Sequence, residues 1–216
     1  MQYSTAIFDL DGTLLDTLED LWLADNHALA AFGLPTRNID DVRRFVGNGL
    51  INLVRRSVPE GTDEQRCQEI LAELNRHYAA HCEDHTGPYP GILALLERLR
   101  AAGMQVAVVS NKGDYAVQEL MPHYFGGLYD ACVGEREGIR RKPAPDSVWE
   151  VMRQLDAPAE DCVYIGDSDV DVDTARASGI PCISVTWGFR SREFLTEHGA
   201  TTFVDTPEEL GALLLG

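Results

Sequence analysis

No stretch of this 216-residue chain reaches the roughly 18–20 uninterrupted apolar residues that span a bilayer. Its first residues also lack a basic segment followed by an apolar one, so a secretory signal is not expected and cytoplasmic residence is. Basic residues are scarce: 18 Lys and Arg stand against 35 Asp and Glu, a formal charge of −17. So acidic a surface repels nucleic acid and anionic membrane, and excludes both as partners. It repels phosphate esters as well, so a phosphate site would need locally concentrated positive potential from a metal, a lysine or helix N-termini. Cysteine is sparse and odd in number: Cys67, Cys82, Cys132, Cys162 and Cys182 show no CxxC spacing. Reduced core thiols are therefore expected rather than a zinc site or a disulfide framework. Internal repeats and low-complexity tracts are missing too.

What is present is an ordinary soluble composition, 44% hydrophobic and 25% charged, with length enough for a full core and a second small domain. Ala6–Phe8 reads as the first strand. Amphipathic helices follow at Leu18–Ala31, Ile39–Val46, Leu50–Ser57 and Asp63–His81, with Thr17 and Asn38 as caps. The turn-rich Thr86-Gly87-Pro88-Tyr89-Pro90-Gly91 then interrupts the pattern. Beyond it, helices at Ile92–Ala101, Gly113–Met121, Pro143–Leu155, Val172–Ser178 and Pro207–Leu214 alternate with strands. Those strands are Gln105–Ser110, Ala131–Val133, Cys162–Ile165, Cys182–Val185 and Thr202–Val204. The alternation predicts an α/β fold with a doubly wound parallel sheet, formed by residues 1–15 and 88–216. Residues 16–87 are expected to form a small inserted helical domain.

Four clusters stand at the carboxyl ends of predicted strands, where open α/β sheets place ligands. Asp9 and Asp11 flank Leu10 in Asp9-Leu10-Asp11-Gly12-Thr13. If the strand ran on to Asp11, period-two alternation would aim both carboxylates to one side. Such a pair suits nucleophilic and proton-transfer work, though solvated turn aspartates are an alternative. Ser110-Asn111 offers a hydroxyl and an amide to phosphate oxygens, or a helix N-cap. Lys142, before Pro143, could neutralise phosphate or lie in a solvated basic turn. Asp167, Asp169, Asp171 and Asp173 crowd one strand end with no nearby base, which calls for a hard cation such as Mg²⁺ better than for helix capping alone.

In this order the clusters resemble the four motifs of the haloacid dehalogenase superfamily: Asp9 to Thr13, Ser110-Asn111, Lys142, and Gly166-Asp167-Ser168 with Asp171. The resemblance implies that Asp9 attacks phosphorus and that Asp11 shuttles the proton. It implies Mg²⁺ held by Asp9, the Asp11 backbone carbonyl and Asp167, with Asp171 orienting a ligand. It also implies a phosphoryl group gripped by Leu10, Ser110, Asn111 and Lys142, and makes residues 16–87 a helical cap. Asp11 disfavours the dehalogenases, which lack an acid there. The absence of lysine from Thr17 to Thr86 disfavours phosphonoacetaldehyde hydrolase, which needs a cap lysine.

Val46-Gly47-Asn48-Gly49, Gly87-Pro88-Tyr89-Pro90-Gly91 and Thr186-Trp187-Gly188-Phe189 are most similar to the phosphoglycolate phosphatases. That similarity implies a small phosphorylated metabolite as substrate and a monomer or homodimer. Gly47, Asn48 and Gly49 then form a substrate-selecting loop, or a plain inter-helix turn. Arg43 and Arg44 could meet a substrate carboxylate or lie solvated, and Trp187 could pack a strand end or approach the site. A phosphomutase of the β-phosphoglucomutase type shares the motifs and the cap. A non-catalytic ligand-binding relative would be expected to lack Asp9 or Asp11.

Overall fold

The computed structural model describes residues 2–47 and 49–216. Two compact units are present, one of Met1–Leu15 with Pro88–Gly216 and one of Asp16–Gly87.

The larger unit is built on a parallel sheet of six strands: β1 (Thr5–Phe8), β4 (Gln105–Gly113), β5 (Ala131–Glu135), β6 (Cys162–Gly166), β7 (Cys182–Val185) and β8 (Phe203–Val204). Their spatial order is β5-β4-β1-β6-β7-β8. Helices α5 (Ile92–Ala101), α6 (Asp114–Phe125), α7 (Asp146–Leu155), α8 (Asp169–Ser178), α9 (Arg192–Glu197) and α10 (Pro207–Leu215) connect and cover it. Because successive strand residues face opposite sides, β1 feeds two cores. Ala6 and Phe8 join Leu96, Val106, Phe125 and Ile165, while Ile7 joins Val109, Val133, Val148 and Tyr164. All four β1 residues are buried, as a strand covered on both faces must be. The expected doubly wound α/β fold is the one observed. After β1 the chain builds β4 and β5 on one side, then returns to build β6, β7 and β8 on the other. That reversal opens the crevice between β1 and β6 at their carboxyl ends.

The smaller unit packs α1 (Leu18–Ala31) against α4 (Glu64–His81), with α2 (Ile39–Phe45) and α3 (Leu50–Ser57) completing it. Apolar residues at spacings of three and four, such as Leu21, Ala24, Ala28 and Leu29 of α1 with Ile70 and Leu74 of α4, are buried. Asn38 caps α2 through the Asp41 amide and Asp63 caps α4 through the Arg66 amide. Thr17 makes no such bond to α1. The linkers form two short strands, β2 (Leu15–Asp16) and β3 (Gly87–Pro88), which pair with each other.

β1 ends at Phe8 as expected, so Asp9 and Asp11 do not share one strand face; residues 10–15 close a tight loop in which Asp11 bridges Leu15. Two other expected boundaries move, each for a local reason. β4 runs on through Asn111 and Lys112 to Gly113, with its register shifting after Val109, so Ser110-Asn111 lie within a strand rather than capping α6. α8 begins at Asp169, because Ser168 and Asp171 form a reciprocal capping box.

Candidate active site

The register of β1 fixes the first residue of the site. Phe8 pairs with Ile165 on one side and Val108 on the other, and the Asp9 amide donates to the Ile165 carbonyl at 2.8 Å. Asp9 is thereby set at the crevice between β1 and β6, beside the loop that carries Asp167 and Asp171. Oxygens of Asp9, Asp167 and Asp171 lie within 4.8 Å of one another, and all three residues are buried.

A buried lysine reaches into this group. Lys142, 3% exposed, places Nζ 2.8 Å from Asp9 Oδ1, 2.8 Å from Asp171 Oδ1 and 3.0 Å from the Tyr164 hydroxyl. Those contacts use the three donors of an ammonium group. Asn111 holds the lysine in place: its Oδ1 accepts from the Lys142 amide at 2.8 Å and its Nδ2 donates to the Lys142 carbonyl at 3.1 Å. The side chain expected to touch phosphate thus clamps the backbone of the residue beside it.

Asp171 is saturated. Its Oδ1 accepts from Lys142 and from the Tyr164 hydroxyl, and its Oδ2 accepts from the Ser168 amide and hydroxyl. Four bonds fill a carboxylate's ordinary capacity, which suits a group that positions others better than one that binds directly. Asp167 is held by the Thr13 hydroxyl at 3.2 Å and the Phe189 amide at 2.7 Å. The fit around it is tight. A Cβ on Gly12, whose φ is +88°, would fall 2.5 Å from Asp167 Oδ2, and one on Gly188 would fall 2.3 Å from the Gly12 carbonyl oxygen. The Trp187 indole donates to the Thr13 carbonyl at 3.0 Å, so Trp187 braces the first motif.

Asp11 faces another way. Lys112 Nζ lies 3.0 Å from its Oδ1, and the Ser110 hydroxyl donates to its Oδ2 at 3.3 Å. Its side chain is therefore outside the three-carboxylate group. Leu10 is fully buried, and its amide donates to Asp9 Oδ1 at 2.7 Å. Gly47 and Gly49, both with positive φ, join α2 to α3 in the helical unit; Asn48 lies outside the described residues. Arg43 and Arg44 of α2 face Asp40 and Asp41 one turn earlier.

The electrostatics show a site short of positive charge. Burial, and then the neighbouring Asp171, hold Asp9 well above the ordinary carboxyl range, an effect that Lys142 only partly offsets. Asp167 is pushed up to about 7 by burial and then by Asp171. Burial also acts on Asp171, but the charge and hydrogen bond of Lys142 outweigh it and bring this carboxyl below its usual value. Burial alone would lower the Lys142 pKa; Asp171 and Asp9 more than reverse that. Two buried acids that resist ionising together are a donor set that fits a hard divalent cation.

Tyr164 and Lys112 join the site without having been singled out in the sequence, while Thr13 and Phe189, named there only as members of motifs, prove to hold Asp167. Tyr164 reads there as core, and it is fully buried. Lys112 could have been found, since it directly follows Ser110-Asn111, but a helix expected from Gly113 hid the strand that carries it.

The doubly wound sheet thus carries a buried carboxylate group and a buried lysine at its switch point. Comparison with known proteins makes this specific: residues 6–185 match the model of the haloacid dehalogenase-like hydrolases, and the chain belongs to that family. It is an enzyme of the family's phosphatase branch. It is 33% identical over 204 residues to a phosphoglycolate phosphatase of Pseudomonas syringae pv. tomato, covering 92% of this chain and 75% of that one. To the phosphoglycolate phosphatase of Mesorhizobium japonicum it is 34% identical over 192 residues, covering 86% and 84%. A crystal structure from Lactobacillus delbrueckii subsp. bulgaricus, provisionally assigned as a phosphoglycolate phosphatase, superposes with a TM-score of 0.96 at 42% identity and full coverage of both chains.

Proposed function

We propose that the chain is a Mg²⁺-dependent phosphomonoesterase that hydrolyses a small phosphorylated metabolite, phosphoglycolate first among candidates, through an aspartyl-phosphate on Asp9. The observation that carries this reading is the buried Asp9, Asp167 and Asp171 group with Lys142 bridging two of its members. The names of the relatives supply the substrate.

Asp9 is anchored through Oδ1 by the Leu10 amide and Lys142, which leaves Oδ2 as the attacking atom. That oxygen bonds to phosphorus as the bond to the leaving alcohol breaks, and the Asp11 carboxyl gives its proton to the departing oxygen. Water then attacks phosphorus, Asp11 takes the proton back, and the bond to Asp9 breaks to free phosphate. Ser110 and Lys112 hold the Asp11 carboxylate between these steps. Lys142 favours the ionised, attacking form of Asp9 against burial and the neighbouring carboxylates, and Asn111 and Asp171 keep Lys142 in place. Asp9, the Asp11 carbonyl and Asp167 would hold Mg²⁺, which when bound supplies the charge that lets an anionic nucleophile approach an anionic phosphoryl group. The helical unit serves as a cap, with Gly47, Asn48 and Gly49 as its substrate-selecting loop. A cytoplasmic enzyme is the reading that the free thiols support.

The test is phosphate release from a panel of phosphorylated metabolites and p-nitrophenyl phosphate, with Mg²⁺ and with chelator. Release that needs Mg²⁺, favours phosphoglycolate and vanishes in Asp9→Asn supports the reading. Turnover retained in Asp9→Asn defeats the nucleophile assignment.

A further inference from the structure

The helical unit carries a cluster of imidazoles that the phosphatase chemistry does not use. His77 and His81 lie one turn apart on α4, and their rings stack with centroids 4.4 Å apart. His27 of α1 stacks on the other face of this pair, its ring 4.0 Å from that of His77. Carboxylates flank the stack at both ends. His27 Nε2 lies 2.8 Å from Glu73 Oε1, and His81 Nδ1 lies 2.8 Å from Asp84 Oδ2. Glu73 is shared with Arg76.

We propose that His27, His77 and His81 form a metal site for a borderline divalent transition ion of the Zn²⁺ class, separate from the carboxylate group of the larger unit. Imidazole nitrogen is the ligand type that suits Zn²⁺, Ni²⁺ and Cu²⁺, whereas Mg²⁺ prefers oxygen. A metal-binding histidine commonly gives its other ring N–H to a carboxylate, which fixes the tautomer and raises ligand basicity. The carboxylate partners are in place here: with Nδ1 on Asp84, His81 has Nε2 to offer an ion, and with Nε2 on Glu73, His27 has Nδ1, although the stacked rings hold these nitrogens in separate planes and must turn to meet one ion. His77 Nδ1 is buried without a hydrogen-bond partner, a polar atom a ligand or a rotated ring would satisfy.

His77 is held below the ordinary histidine range by burial and then by His27 and His81, which favours the neutral form that binds metal. The side chains of His27 and His81 are 41% and 51% exposed, which leaves the rings room to turn their edges toward a common ion. An ion bound there would tie α1 to α4 and stabilise the folded helical unit.

The test is calorimetric titration of the full chain with Zn²⁺ in excess Mg²⁺, followed by thermal melts with and without Zn²⁺. One saturable site is expected, together with a rise in melting temperature. Both should be lost in His77→Ala and in His81→Ala, and weakened in His27→Ala; far-UV circular dichroism checks that each variant is folded. Electron paramagnetic resonance of the Cu²⁺-loaded wild type should show coupling to imidazole nitrogens. No saturable binding, binding unchanged in the His77 and His81 variants, or a Cu²⁺ spectrum without nitrogen coupling would overturn the assignment. Binding lost in those two but untouched in His27→Ala would remove His27 from the site.

Discussion

Replacing Lys142 by Met would test the electrostatic core of the site. The substitution keeps length and apolar stem while deleting the one ammonium that touches Asp9, Asp171 and Tyr164. Breaking a buried ion pair by removing one partner costs about 3–5 kcal/mol, because the remaining charge is left uncompensated. In a chain of this size each kcal/mol moves the melting temperature by about 2–4 °C, so a drop of about 6–20 °C is expected in chelator.

The loss has a pH signature. Without Lys142, Asp9 titrates further above its unfolded value and Asp171 loses the contact that holds it below its own, so in the window between the wild-type and variant values the variant's folded state binds more protons than that of wild type. Stability then falls as pH rises through that window, and the deficit against wild type grows from pH 5 to pH 8. Saturating Mg²⁺ should recover part of it, and so should a second change, Asp171→Asn. Differential scanning calorimetry at both pH values reads all of this. A variant as stable as wild type at pH 8 in chelator would refute the claim that Lys142 compensates the buried carboxylates.

Gly188→Ala places a methyl group 2.3 Å from the Gly12 carbonyl oxygen and 2.5 Å from Asp167 Oδ2. Overpacking of this kind costs about 1–3 kcal/mol; a lower melting temperature and a fall in kcat are expected, and unchanged kinetics would show that the Trp187-Gly188-Phe189 segment does not hold Asp167. In the helical unit, Asp25 is fully buried, accepts from the Ser57 hydroxyl at 2.7 Å, and is pushed up to about 6 chiefly by burial. Its folded pKa exceeds the unfolded one, so the ionised form costs stability as pH rises from about 4 to about 6, on the order of 3 kcal/mol above that window. Asp25→Asn should stabilise the protein at pH 7.5 and gain less at pH 4.5 in urea titrations; an equal gain at both would contradict the burial argument.

Much of the architecture could be read along the chain. Helices Leu18–Ala31, Leu50–Ser57 and Ile92–Ala101 lie where apolar spacing and flanking glycines put them. The switch point followed from strand–helix alternation, and Asp9, Asp167 and Asp171 converge there. What escaped was tertiary. β1 ends at Phe8 as read, but the turn of residues 10–15 back on themselves, which sends Asp9 and Asp11 to different partners, could not be read from the strand pattern. α6 runs through Pro122 to Phe125, past the expected end at Met121, because the last turn still buries Phe125 in the core. The sequence offers Asn111 as a phosphate contact or a helix cap, yet its partner is the backbone of Lys142, 31 residues away, and no local pattern reveals such a pairing. Tyr164 illustrates the same limit. A tyrosine in a buried strand reads as packing until its hydroxyl is seen on Asp171.

The covalent role of Asp9 stands at the centre of the proposed mechanism. Wild-type enzyme mixed with phosphoglycolate and Mg²⁺, acid-quenched within a turnover and digested, should yield a peptide phosphorylated at Asp9 by mass spectrometry, and Asp9→Asn should yield none. Phosphate released at full rate with no modified Asp9 at any quench time, or a phosphoryl group found on Asp11 instead, would contradict it.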